Sequence, residues 1–505
     1  MKNQAHLITY VDRLSGGGLR DLARLLDGPL RGAFGGVHVL PFFYPIDGAD
    51  AGFDPIDHTQ VDPQLGSWED VRTLASRTEI TADLIVNHIS RRSPQFIDFD
   101  AHGDASPYAG LFLTFARVFP RGATGADLLA LHAIRPGLPF TQHQTTHGER
   151  VLLWTTFTGE QIDIDVHHPE GQRYLDAILA RFEDAGLRAI RVDAAGFAVK
   201  KAGTSCFMIP ETLAFIAALT ARARARRLEV LVEVHGHYLD QARIARQVDW
   251  VYDFVLPPLV LHTLFTRDAT SLRRWIDVRP GNSVTVLDTH DGIGVLDAGP
   301  DRDGRPGLLM PAEIRALVEE IHDRSGGQSL EATGSAASNL DADQINCTFY
   351  DALGGRDEEH LVARAIQCFI PGIPQVYYVG LLAGRNDMTL LARTGAGRDI
   401  NRHYFTAEDV QQQLGRPIVE RTLALLQLRN THPAFAGVFD ASSSTRDRLV
   451  LTWSLERDWI SLDVDLTQMR AAVASSAGPD PVWQSGLGKF QAKDARRPRE
   501  YPPGS

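Results

Sequence analysis

The stretch GLRAIRVDAAGF, residues 186–197, runs from Leu187, Ala189 and Ile190, broken only by Arg188, into Arg191, Val192 and Asp193. A mostly apolar run that closes on an arginine and a carboxylate reads as a buried strand with a charged C-terminal tip. A charge in that position is costly unless it is paired or used. Small residues and Phe197 follow, as at a tight turn out of the strand.

Comparable runs recur on both sides of it. HLITYV, GGVHVLPFF and ADLIVNH precede LRAIRVD, and EVLVEVH, DWVYDFVL, SVTVLDTHD and IPQVYYVG follow it, eight in all. Helical stretches such as LRDLARLLDG and WEDVRTLAS separate many of them. This alternation predicts an α/β protein, either a (β/α)8 TIM barrel or an open doubly wound sheet. No glycine-rich phosphate fingerprint follows the first run, which counts against the dinucleotide-binding form of the open sheet. The charged residues favour the barrel. Asp83, Asn87 and His88 lie in or just after the third run, and Asp193 ends the fourth. Glu233 lies near the end of the fifth, and His290 with Asp291 ends the seventh. A barrel opens all those C-terminal ends onto one face, where catalytic groups collect.

Two spacers are too long for ordinary loops and read as inserted subdomains. The expected organisation is barrel over 1–88, insertion over 89–166, barrel over 167–291, insertion over 292–345, barrel over 346–435, and a C-terminal part over 436–505. In that last part DRLVLTWSLERDWISLDVDL alternates like a small antiparallel sheet. The closing KFQAKDARRPREYPPGS is polar and reads as poorly ordered.

With 505 residues, 44% apolar and 23% charged, the chain can bury a large core. A formal net charge of −12 argues against a dedicated nucleic-acid binder. No apolar stretch suggests a signal peptide or a membrane span, so a cytoplasmic location is expected. Cys206, Cys347 and Cys368 are too scattered for a disulfide framework or a zinc site and read as buried free thiols. Nothing calls for a metal or another cofactor, and DAGPDRDGRPG lacks the calcium-loop pattern.

A carboxylate pair on adjacent strand tips suits cleavage of a glycosidic bond. One carboxylate attacks or stabilises the anomeric carbon, while the other, kept protonated, protonates the leaving oxygen. Asp193 and Glu233 form that pair, with Asp291 a third carboxylate. Each taken alone could equally be an ion-pair partner at the barrel rim. Their contexts, DLIVNH, IRVDAAGF, LVEVH and VLDTHDG, together resemble the four short motifs of the α-amylase superfamily. Further stretches, among them GADAGFDPIDHTQVDPQLGSWED, IRPGLPFTQ, KAGTSCFMIP, QINCTFYDALG and GRDINRHY, resemble the sucrose phosphorylase family within it.

The resemblance implies a retaining α-glucoside phosphorylase that passes glucose to inorganic phosphate and releases α-D-glucose 1-phosphate. It makes Asp193 the nucleophile, Glu233 the general acid and base, and Asp291 the stabiliser of the transition state. Arg191, two residues before Asp193, shares its side of the strand and would keep it ionised. His88 and His290 would bind glucose hydroxyls. Asp50 and Arg398 would close the far end of the sugar pocket. Phe53 and Phe157 would wall it, with Gln161 a polar contact. Arg135 and His235 match phosphate-site positions. Members of the family are often dimers, so a homodimer is among the states the resemblance implies.

In SNLDADQINC, close sucrose phosphorylases carry a Leu-Tyr pair where this chain has Ala342 and Asp343, beside Gln344. The change removes apolar bulk and an aromatic hydroxyl and adds a hydrogen-bond acceptor suited to polyols. Asp343 would repel phosphorylated or carboxylated acceptors. Glycerol, giving 2-O-α-D-glucosylglycerol, is therefore slightly favoured over fructose. Sucrose phosphorylase proper and an amylase-like glucosidase or transglucosidase stay open, as does a non-catalytic sugar binder.

Overall fold

A computed structural model of the chain describes residues 1–48, 50–134, 137–301, 304–334 and 344–486. Eight parallel strands form a closed barrel. They are β1 (His6–Thr9), β2 (Gly36–Val39), β3 (Glu79–Ile85), β4 (Ala189–Asp193), β5 (Glu229–Val232), β6 (Trp250–Asp253), β7 (Ser283–Thr285) and β8 (Ile373–Tyr377). Each pairs with the next, and β8 returns to β1. Strands β1, β2, β4 and β8 are buried along their whole length, which is why their sequences read as near-continuous apolar runs.

The helices between them begin on local signals. Pro169, Pro210, Pro311 and Pro417 each open a helix, where a missing N–H costs nothing. Ser67 accepts a hydrogen bond from the Asp70 N–H, and the Asp70 carboxylate accepts one from Ser67 in return, a capping box for Trp68–Ala75.

Between β3 and β4, strand His88–Ser90 pairs with Gln161–Asp163, and Phe140–Gln144 pairs with Arg150–Trp154. This segment has its own apolar cluster around Leu113, Phe119 and Trp154. Between β7 and β8, Ile293–Gly294 pairs with Gln344–Ile345 and the helix Pro311–Arg324 intervenes. The C-terminal part is an antiparallel sheet of five strands, β9 (Val438–Asp440), β10 (Arg448–Leu455), β11 (Asp458–Asp465), β12 (Arg470–Ser475) and β13 (Gly478–Gln484). The tail KFQAKDARRPREYPPGS lies outside the described residues. The three cysteines are buried and unbonded. Among the described residues, no helix is long and apolar enough to cross a membrane.

The seventh run departs from expectation. Regular strand ends at Thr285, so His290 and Asp291 stand on the loop that follows rather than on a strand tip. The buried ion pair of Asp288 with Arg364 (3.2 Å) anchors the chain between them.

The barrel interior is polar towards its floor. His6, His38, Asp83, Arg191, Tyr252 and Gln375 are all at most 2% exposed. Gly36 is needed here, because a Cβ at that position would lie 2.5 Å from the His6 ring.

Candidate active site

The site is built around one guanidinium. In the register of β3 with β4, Arg191 lies directly beside Asp83, and Asp193 follows two residues on, on the same side of the strand. Arg191 Nη1 donates to Asp83 Oδ1 (2.5 Å) and to Asp193 Oδ1 (2.8 Å). Its Nη2 is 3.1 Å from Glu233 Oε1 and 4.0 Å from Asp291 Oδ2. Four carboxylates from four segments therefore converge on one fixed cation. Burial pushes Asp193 well above the usual carboxylate range, and the charges of Glu233, Asp83 and Asp291 add to that, against the pull of Arg191. A cluster this crowded cannot keep every carboxylate ionised at once.

The backbone also joins the end of β4 to Glu233. Ala194 adopts the left-handed conformation (φ 52°), rare for a side chain with a Cβ, and its N–H donates to Glu233 Oε2 (3.0 Å). Strain of this kind is retained where the surroundings enforce it, commonly at functional sites.

Asp291 is set among cations. Burial alone would raise it, but His290, Arg398, Arg191 and Arg402 outweigh burial and hold it well below the carboxylate range. Arg398 Nη1 approaches Asp291 Oδ1 at 3.0 Å. His290 is lowered to about 3 by burial and is neutral. It stacks on Phe53 at 4.8 Å between centroids and has its Nε2 3.3 Å from Asp291 Oδ2.

The expected Asp50–Arg398 pair forms, and Arg402 joins it at shorter range. Those groups stand 3.9 Å apart, whereas Arg402 Nη1 lies 3.3 Å from Asp50 Oδ1. Arg398 turns towards Asp291, so the far wall is a three-residue unit in which Arg402 is the nearer partner of Asp50.

On the other side, His88 Nε2 donates to the Phe53 carbonyl (2.8 Å), and Gln161 Nε2 reaches the same oxygen at 3.4 Å. Phe157 packs its ring against His88 and Phe197. Lys200, buried, bonds Asn87 Oδ1 and Asp163 Oδ2, each at 2.8 Å, and the Phe197 carbonyl. It ties β3, the first insertion and the loop after Asp193 together.

His235 lies beside the carboxylate cluster, its Nε2 3.7 Å from Glu233 Oε1 and 2.9 Å from Gln344 Nε2. Its ring stacks on Phe254 at 3.9 Å, and its Nδ1 is 3.5 Å from Asp297 Oδ2. Burial works against the charged ring, but Asp297 above all, then Glu233 and Asp291, outweigh it and raise its pKa. Neither Asp297 nor Arg402 was singled out by sequence reasoning. Each left a trace: Asp297 opens DAGPDRDGRPG, and Arg402 stands four residues after Arg398 in GRDINRHY. Arg135, Ala342 and Asp343 lie outside the described residues.

No protein-family model matches the chain. Sucrose phosphorylase of Agrobacterium vitis is 59% identical to it, covering 96% of this chain and 100% of the relative. Sucrose phosphorylase of Bifidobacterium adolescentis is 48% identical, covering 98% of each. Glucosylglycerol phosphorylase of Marinobacter adhaerens is 39% identical, covering 92% of this chain and 95% of the relative. Among solved structures, sucrose 6F-phosphate phosphorylase from Thermoanaerobacter thermosaccharolyticum has a TM-score of 0.87 at 36% identity, covering 94% of this chain and 96% of that one.

Proposed function

Because the chain belongs to the sucrose phosphorylase family of retaining α-glucoside phosphorylases, in the α-amylase superfamily, we propose that it cleaves sucrose with inorganic phosphate through Asp193 and Glu233. The observation that carries this reading is the single Arg191 guanidinium bridging Asp193 and Glu233 from adjacent strands.

Asp193 Oδ attacks the anomeric carbon as the bond to the leaving oxygen breaks, and Glu233 gives that oxygen its proton. The product of this half-reaction is a covalent β-glucosyl-enzyme and free fructose. Phosphate then attacks the same carbon, Glu233 takes its proton, and Asp193 leaves. Two inversions give α-D-glucose 1-phosphate. Arg191 stabilises Asp193 as a departing carboxylate, and Asp291, held ionised among arginines, faces the positive charge that develops on the sugar. Asp50 with Arg402 and Arg398 bounds the glucose at its far end. His235, whose pKa Asp297 raises, stands beside Glu233 as one phosphate-site position, and Arg135 is the other that the resemblance implies.

Sucrose is favoured as donor by the 59% and 48% identities to sucrose phosphorylases, against 39% to the glucosylglycerol enzyme. The Ala342–Asp343 pair keeps glucosylglycerol as a second reading. The test offers sucrose and 2-O-α-D-glucosylglycerol separately, with and without phosphate. Phosphate-dependent fructose release with α-D-glucose 1-phosphate is expected. Phosphate-independent glucose release, or a β-configured product, would overturn the reading.

A further inference from the structure

Arg191 is held from below by a line of side chains that crosses the barrel. Asp83 divides its carboxylate, with Oδ1 accepting from Arg191 Nη1 (2.5 Å) and Oδ2 meeting His38 Nε2 (3.0 Å). His38 Nδ1 is 3.2 Å from the Tyr252 hydroxyl, and that hydroxyl donates to Gln375 Oε1 (2.8 Å). The line thus runs from β8 through β6, β2 and β3 to β4, and ends at Asp193 and Glu233. Every member up to Arg191 is at most 2% exposed.

A barrel floor needs only apolar side chains to fill it, and burying charged and polar groups there is expensive. What this arrangement provides is direction. The carboxylate of Asp83 has two acceptor faces, and among the described residues its side-chain hydrogen-bond partners are Arg191 and His38, so His38 sets its rotation. That rotation sets where Oδ1 meets Arg191 Nη1, the same nitrogen that binds Asp193. Burial works against ionising Asp83, but His38 and then Arg191 outweigh it and hold its pKa down at about 2, so it stays a full charge. The groups facing His38 are Asp83, Tyr252 and, from β1, His6, which burial keeps neutral with a pKa of about 3.

We infer that His38, braced by Tyr252 and Gln375, is a positioning residue that orients Asp83 and, through it, the Arg191 guanidinium on the nucleophile and acid. The inference rests on the functional reading above. It predicts a defect in the chemical steps rather than in glucose binding, because every member of the line below Arg191 is at most 2% exposed.

The test is steady-state kinetics of phosphorolysis for the parent protein, His38→Leu, His38→Gln and Tyr252→Phe, with thermal unfolding of each. In His38→Leu, kcat should fall by about tenfold to a hundredfold with the donor KM changed less than about threefold. His38→Gln can return an N–H towards Asp83 and should recover most of that loss. Tyr252→Phe should lose kcat in the same direction by a smaller factor. A folded His38→Leu variant with kcat within about twofold of the parent overturns the inference, as does a loss that appears wholly in KM. Should His38→Leu fail to fold, Tyr252→Phe decides: parental kcat there overturns the inference. A parent that releases no α-D-glucose 1-phosphate defeats the functional reading instead, so the two failures are distinguishable.

Discussion

Arg402, not Arg398, is the nearer partner of Asp50: its Nη1 lies 3.3 Å from Asp50 Oδ1, against 3.9 Å for Arg398 Nη1. Arg402 is 2% exposed and also donates from Nε to the His290 carbonyl (3.0 Å). Its removal leaves a half-buried carboxylate without its nearest counter-charge, a destabilising change. Arg402→Ala should raise the donor KM at least about tenfold and lower the unfolding temperature. Arg398→Ala, which bares Asp291 instead, should depress kcat more than it raises KM. Kinetics of the two variants side by side check the division. Equal effects of the two variants on both constants would contradict this division and show that the arginines act as one unit.

Asp193 makes a prediction about stability as well as turnover. Its folded pKa is raised, by burial first and by its carboxylate neighbours next. A raised carboxylate contributes stability that is fully present below its unfolded pKa, about 3.9, and is lost as pH rises. At neutral pH the ionised Asp193 is therefore a burden on the fold. Asp193→Asn should abolish turnover and raise the unfolding temperature at pH 7 on the order of a few degrees. The gain should shrink towards zero at about pH 3, where the native residue is largely protonated in both states. Unfolding scans at the two pH values test this, and a variant less stable than the parent at pH 7 contradicts it.

The barrel was legible because its strands are buried on both faces over most of their length and leave mostly apolar runs, as LRAIRVD does for β4. The cluster was legible because Asp193 and Glu233 sit at or one residue beyond such a run. The end of β7 was not, since Val286 and Leu287 are buried and read like strand although the ladder stops at Thr285. Asp297 and Arg402 were missed for another reason. They act on His235 and Asp50 across 62 and 352 residues of chain, and no local spacing encodes such a contact. The His38–Tyr252 line is hidden in the same way, because a histidine and a tyrosine within apolar runs give no sign that they meet across a barrel.

The Asp297–His235 pair predicts how phosphate use depends on pH. Asp297 raises His235, so the imidazolium survives to higher pH than an ordinary histidine and is lost as pH climbs through that raised value. Asp297→Asn should bring the loss down in pH. The apparent KM for phosphate should then exceed the parent's most clearly just above neutrality, and the two should converge in mild acid. Comparing variant and parent at each pH cancels the ionisation of phosphate itself. Parallel profiles across the range would leave His235 without a part in phosphate binding.

The acceptor prediction concerns residues 342 and 343. Gln344, next in the chain, stands 2.9 Å from His235, a position proposed for phosphate binding. An aspartate there offers acceptor oxygens to polyol hydroxyls, whereas a leucine and tyrosine would offer apolar bulk and one hydroxyl. Removing a hydrogen-bond partner from a bound hydroxyl costs roughly 1–3 kcal/mol, so Asp343→Ala should lower glycerol glucosylation on the order of tenfold or more. Glucose binding at the Asp50 end should change little. Ala342→Leu combined with Asp343→Tyr should move preference towards fructose. Both variants are read by phosphate release from α-D-glucose 1-phosphate with each acceptor in turn. Unchanged selectivity in both would mean that the segment does not touch the acceptor.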